Sequence, residues 1–282
     1  MTINLYFVSF EITIIASFLL CLRHAWRAGG PAVWQLIAGV LFGVLLELAT
    51  IRQLHAYRYG QFILMIFDVP LAIGLAWGNM IYAVRTFTDA TSLPEWARPI
   101  LDALLVLNLD LAIDVIAIRL GMWDWGQGLQ SQYFGVPYAN FWAWFWVVFS
   151  FSAGLRLLRQ RPGWVGHWLA PLGAMLIGLL GVMFTNALIT FWLPRAIYEI
   201  TVAGILILAL AMVLYLRPRL LQPAHPLAGQ VAMISHTYFL AAGLISGALL
   251  QPAILLAIGL LMFGISVYVY HGRRWLPQPG YL

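Results

Sequence analysis

Residues Ile100–Leu120 read ILDALLVLNLDLAIDVIAIRL. A helix of about 20 predominantly apolar residues crosses the hydrocarbon core of a bilayer, and this stretch has that length and character. Yet it carries Asp102, Asp110 and Asp114. A carboxylate at the centre of a bilayer costs at least about 2.5–3.5 kcal/mol. Asp110 and Asp114 stand at i and i+4, on one helix face, where two charges also repel each other. Residues of that cost persist where chemistry uses them or a partner neutralises them, so this pair is the first candidate for function.

The rest of the chain repeats the pattern of the stretch. Of 282 residues, 63% are hydrophobic and 9% charged, with a mean hydropathy of +0.89. A soluble fold of this composition could not cover its own surface. Apolar segments of spanning length recur at 3–22, 33–52, 62–84, 99–120, 138–158, 168–190, 196–216, 229–249 and 252–270. The expected fold is therefore all-α, a polytopic transmembrane bundle of about nine helices forming a single integral membrane domain over 1–282. The count drops to eight if the last two segments merge, since little more than Gln251-Pro252 separates them.

All 15 basic residues are arginine. Arg23, Arg27, Arg85, Arg98, Arg156, Arg159, Arg161, Arg217, Arg219, Arg273 and Arg274 follow odd-numbered segments or precede even ones. Only Arg52, Arg58, Arg119 and Arg195 lie at the opposite ends. By the positive-inside rule, the N-terminus is outside and the C-terminus cytoplasmic in a multi-pass protein of the plasma (inner) membrane. The net charge of +5 then reports topology, and no nucleic-acid partner is expected. The first segment has neither a basic leader nor a small-residue cleavage site, so it reads as a retained helix. A single cysteine, Cys21, excludes an intrachain disulfide and any multi-cysteine metal site. The absence of lysine excludes a Schiff base.

On this topology the polar residues gather in one leaflet. Glu47 is near the outer end of segment two, and Asp68 is about two turns into segment three. Asp110 is at mid-depth, Asp114 lies nearer the outside, Asn140 opens segment five and Glu11 occupies the outer half of segment one. Among the intramembrane carboxylates, only Asp102 lies toward the cytoplasm. Two outer connections are rich in aromatic and polar residues: Arg52–Gly60, with His55, Tyr57 and Tyr59, and Gly121–Gly135, reading GMWDWGQGLQSQYFG. Together they suggest the mouth of a pocket. Each residue also has a structural reading. Asp110 and Asp114 would serve in an ion-pair network with Arg119. Trp123, Trp125, Tyr57 and Tyr59 would serve as interfacial belt residues, Pro137 as a helix start and Asn140 as a helix–helix hydrogen bond. Glu199 would pair with Arg195, and Gly39–Gly43 and Gly243–Gly247 are small-residue packing signals.

Several chemistries lack their residues. The six histidines are dispersed, with no two at i and i+3 or i+4, so clustered histidine boxes for di-iron are absent. No Gly-x-Gly-x-x-Gly follows a strand and there is no phosphate-binding Walker loop. Asn108-x-Asp110-x-x-x-Asp114 resembles part of the first aspartate-rich motif of membrane prenyltransferases. Their second motif has no counterpart, because no aspartate follows Asp124.

A longer series carries a different resemblance. Glu47, Tyr57-Arg58-Tyr59-Gly60, Val69-Pro70, Trp77, Asp110-x-x-x-Asp114 and Trp123-x-Trp125 are followed by Tyr133-x-Gly135-Val136-Pro137-x-x-Asn140-Phe141-x-x-Trp144. In order and topology this resembles the carotenoid biosynthesis protein family, over about half the chain, with departures at Val115 and Ala143. That family includes hydratases of acyclic carotenoid end groups, of the bisanhydrobacterioruberin and γ-carotene type. The resemblance implies addition of water across a terminal C1–C2 double bond, with a carotenoid and membrane lipid as partners. A close carboxylate pair shares one proton, because both members cannot readily ionise together. One of Asp110 and Asp114 is then the acid, while its partner or Glu47 orients the water. The aromatic faces of Trp123, Trp125, Tyr133 and Trp144 stabilise the cation, by about 0.5–2 kcal/mol each. Tyr57, Tyr59, Asp68 and Asn140 complete the expected substrate site, and no cofactor or metal is called for. Three alternatives stay open: a carotenoid cyclase, a metal-dependent prenyltransferase, and a proton-coupled transporter with a path to both faces.

Overall fold

The computed structural model describes residues 4–272. Among them run nine helices: α1 (Leu5–Ala28), α2 (Gly30–Leu54), α3 (Leu71–Thr88), α4 (Arg98–Ala117), α5 (Tyr138–Arg159), α6 (Ala170–Ala187), α7 (Tyr198–Leu216), α8 (Leu227–Ile245) and α9 (Ile254–His271). Seven of them, with flanking turns, are long and apolar enough to cross a membrane. The two others, α3 and α4, carry more polar side chains and are also the most enclosed. α3 packs on α1, α2, α4 and α8, while α4 packs on α3, α5, α7, α8 and α9. Helices that bear residues costly in lipid thus sit where they do not meet it.

Local sequence sets the breaks between helices. Gly29, at φ +104°, separates α1 from α2, whose first turn holds Pro31. The expected small-residue seam of α2 is real. A Cβ at Gly39 would stand 3.1 Å from Gly78 Cα of α3, and one at Gly43 only 2.5 Å from Trp77 Cβ. Glycine at these two positions lets the α2 and α3 backbones approach. The second signal divides: Gly243 packs against Leu249 and Ile116, whereas Gly247 is a turn residue at φ +79°.

The third expected segment begins too early in the sequence reading. Residues 62–70 are not helical. Four short strands form in the α2–α3 and α4–α5 connections: β1 (Arg58–Tyr59), β2 (Met65–Ile66), β3 (Val69–Pro70) and β4 (Trp123–Asp124). β2 and β3 make an antiparallel hairpin with Phe67 at φ +55° in its turn. Pro70 then caps α3, having a fixed φ and no N–H to lose. The apolar character of 62–70 serves packing instead, with the Phe62 ring 4.6 Å from Phe7. β1 pairs antiparallel with β4, setting Arg58 opposite Asp124 and Tyr59 opposite Trp123. That ribbon ties the α2–α3 connection to the α4–α5 connection across the end of the bundle where α1 begins, the pocket end.

Arginines collect at the other end. Asp102 is buried there and accepts hydrogen bonds from Thr88 Oγ1 (2.6 Å), Ser152 Oγ (2.5 Å) and an Arg156 amine (3.0 Å). Arg156 also reaches Asp89 at 3.0 Å, and Arg85 and Arg98 approach the same carboxylate at 3.7 and 3.9 Å. Arg273 and Arg274 of the topology signal lie outside the described residues.

Candidate active site

Helical periodicity puts Asp110 and Asp114 on one face of α4, and that face meets the first turn of α5. Pro137 starts α5 in an extended conformation, φ −65° and ψ 140°, which delivers Asn140 opposite the pair. Asn140 Nδ2 donates to Asp110 Oδ2 (3.0 Å) and Oδ1 (3.3 Å) and to Asp114 Oδ2 (2.7 Å). All three residues are buried. Two carboxyls that share one amide in a buried site cannot readily both ionise, so the pair holds a proton between its members. The dyad is therefore a single acid held by one amide.

A second carboxylate faces the dyad from α2. Glu47 accepts from Trp77 Nε1 of α3 at 2.8 Å and from Tyr59 Oη at 2.7 Å, and Tyr57 Oη donates to the same oxygen as Tyr59. Burial, and then the negative charge of Glu47, push both phenols well above their usual range, so they act as donors. The β1–β4 ribbon holds these tyrosines under tryptophans. Trp125 stands edge-on to Tyr57 at 4.5 Å, and Trp123 stands edge-on to Tyr59 at 6.0 Å. Trp144 of α5 packs on Trp77 at 4.5 Å.

These groups surround one cavity of about 70 Å³. Of the residues expected from sequence, Glu47, Tyr57, Tyr59, Asp114, Trp123, Trp125, Asn140 and Trp144 line it. Asp110 does not line the cavity and is joined to it through Asn140. Asp68 and Tyr133 do not line it. Asp68 lies in the β2–β3 turn rather than two turns into a helix, is more than half exposed and pairs with Arg52 at 2.8 Å. Tyr133 does not line the cavity; its hydroxyl donates to the Leu111 carbonyl (3.1 Å) and its ring packs edge-on against Phe141 at 5.0 Å. It anchors the α4–α5 connection to both helices.

The ion-pair alternative for the dyad also fails. Arg119 donates instead to the carbonyls of Val115 (2.8 Å) and Phe134 (2.9 Å). Asn108, the first residue of the prenyltransferase-like motif, points away. Two positions before Asp110, it faces α9 and donates to Ser266 Oγ (2.9 Å) and the Met262 carbonyl (3.1 Å). Sequence reasoning missed Trp77 as a site residue, the ring pair Phe10 and Phe239, and a polar set of Ser17, Asn79 and Ser235 that also lines the cavity. Asn79 was findable as an amide inside an apolar segment, whereas serine in such a segment usually bonds its own helix and gives no signal.

Residues 3–210 of the chain match the family model described as carotenoid biosynthesis protein. The match covers every cavity-lining side chain except those of α8. No curated protein and no solved structure matches the chain.

Proposed function

The chain belongs to the carotenoid biosynthesis protein family, and from that premise we propose that it hydrates the terminal C1–C2 double bond of an acyclic carotenoid end group. The observation that carries this reading is the Asn140-bridged dyad. It presents one member, Asp114, to an aromatic cavity with Glu47 on the facing side. Asp114 gives its proton to C2, the less substituted carbon, and Asp110 shares the charge left behind. The tertiary cation at C1 lies among Trp77, Trp123, Trp125 and Trp144, each worth about 0.5–2 kcal/mol to a cation over its face. Water adds at C1 and its surplus proton passes to Glu47, a carboxylate oriented by three donors. In this reading the pocket end is the outer side of the plasma membrane.

The alternatives are less well served. A diphosphate-binding motif would need Asn108 beside the aspartates, and it faces α9. A transporter would need polar groups continuing from the cavity to the other end, but Asp102 is locked to Arg156 and His236 bonds Ser266 at 3.0 Å. Expression of the chain in a lycopene-producing bacterium, with mass spectrometry of the pigments, tests the proposal. A gain in mass of one water supports hydration, and unchanged mass with a shifted absorption spectrum means cyclisation.

A further inference from the structure

The end of the bundle opposite the pocket holds more positive charge than its own carboxylates neutralise. Asp89, just past α3, is approached by Arg156 at 3.0 Å, Arg85 at 3.7 Å and Arg98 at 3.9 Å. Arg159, three residues after Arg156 on α5, is drawn to the same carboxylate and repels Arg85 and Arg156. Asp102 adds a second negative charge and is bonded to Arg156 at 3.0 Å. Glu95, near this end, accepts instead from the Gln160 amide at 2.5 Å. The C-termini of α3 and α5 and the N-terminus of α4 together add about half a negative charge. Four guanidiniums against two carboxylates and these helix ends leave about one and a half positive charges over.

The donors are shared out unevenly. Arg98 donates to the carbonyls of Leu93 (2.9 Å) and Thr91 (3.4 Å), and Arg156 to Thr88 Oγ1 (2.7 Å) and Asp102 (3.0 Å). Arg85 and Arg159 make no hydrogen bond among the described residues. The Arg85 side chain is only 13% exposed and Arg159 is half-buried. A buried charged donor without an acceptor is costlier than a neutral one, and native structures leave few of either. The pair lacks an anion.

Its level identifies which anion. Arg85 lies in the last turn of α3 and Arg159 is the last residue of α5, where helices of this length meet the membrane surface. Trp26, near the end of α1, and Trp96, just before α4, are 76% and 61% exposed at the same end, the arrangement of an interfacial belt at headgroup level. Lipid phosphates lie at that level, and guanidiniums bind phosphate oxygens through charge-assisted hydrogen bonds. Basic pockets between helices hold anionic headgroups by the same chemistry. We propose that Arg85 and Arg159 bind the phosphate of an anionic phospholipid at the ends of α3 and α5. A phosphodiester such as that of phosphatidylglycerol brings one net negative charge to the cluster. Phosphatidylcholine brings none, because its choline cation accompanies the phosphate. The site is separate from the pocket and does not depend on the chemistry there.

The test places the full chain in nanodiscs of phosphatidylcholine alone or mixed with phosphatidylglycerol. Thermal unfolding is followed in both, and native mass spectrometry counts the lipid each protein retains. The wild type should unfold at higher temperature in the mixed discs and keep phosphatidylglycerol in preference to phosphatidylcholine. Arg85→Gln and Arg159→Gln should each bind phosphatidylglycerol at least about tenfold more weakly, the factor of one hydrogen bond to a charged group. In phosphatidylcholine alone they should unfold no earlier than the wild type, because each removes a repelling charge. Variants that unfold earlier by the same amount in both lipids make the arginines structural and overturn the proposal. So does an equal loss of lipid in Arg161→Gln, an exposed arginine at the same end, which means general attraction to the surface. Inorganic phosphate that stabilises the wild type in phosphatidylcholine, where phosphatidylglycerol gives no gain, assigns the site to a soluble anion and overturns the lipid. A wild type indifferent to both overturns the site itself.

Discussion

Replacing Asn140 with leucine removes the amide that bridges the dyad while keeping the same branched side-chain shape between α4 and α5. Its Nδ2 makes contacts of 2.7, 3.0 and 3.3 Å to carboxyl oxygens of Asp114 and Asp110. A hydrogen bond to a charged group is worth about 1.5–3 kcal/mol. When the dyad gives up its proton, full negative charge appears on those oxygens, so the donor stabilises the transition state more than the ground state. At 1.36 kcal/mol per factor of ten, the loss corresponds to a rate about 10- to 150-fold lower. It should appear in kcat with KM unchanged, because Asn140 binds the acid and not the polyene. The assay is initial formation of the hydrated pigment in membranes, normalised to folded protein. A kcat equal to that of wild type, or an effect confined to KM, would refute the role given to Asn140.

Three further substitutions separate site from scaffold. Gly43→Ala places a methyl 2.5 Å from Trp77 Cβ; it should lower thermal stability in detergent by about 1–3 kcal/mol and reduce hydration in the protein that remains folded, since Trp77 orients Glu47. Arg156→Met leaves Asp102 buried without its cation and should cost about 3–5 kcal/mol, seen as poor accumulation and early thermal unfolding, with normal turnover per folded molecule. Asp68→Asn removes an exposed pair worth at most about 1 kcal/mol and should leave hydration unchanged. A large loss of turnover there would return Asp68 to the site.

The helices were legible because spanning length and hydropathy are written residue by residue, and Asp110 and Asp114 because i, i+4 spacing fixes their common face. Residues 62–70 misled for a physical reason. A run from Phe62 to Phe67 is as apolar as a span, and only Asp68-Val69-Pro70 hints that the chain turns before α3 begins. That error carried Asp68 into the site. Tyr133 was placed by its loop, yet its hydroxyl satisfies a carbonyl of α4, a partner no spacing rule discloses. The role of Trp77 depends on how closely α2 and α3 approach at Gly39 and Gly43. Ser17 and Ser235 come from helices distant in sequence, and their meeting with Asn79 is a product of packing alone.

The central claim is that this dyad adds water to an acyclic carotenoid. Its most direct test is conversion of lycopene in oxygen-18 water by membranes carrying the wild-type protein or Asp114→Asn. The wild type should yield a pigment heavier by one labelled water, and Asp114→Asn, present at equal amount in the membrane, should yield none. Labelled product at the wild-type rate from Asp114→Asn, or no labelled product from the wild type, would contradict the claim.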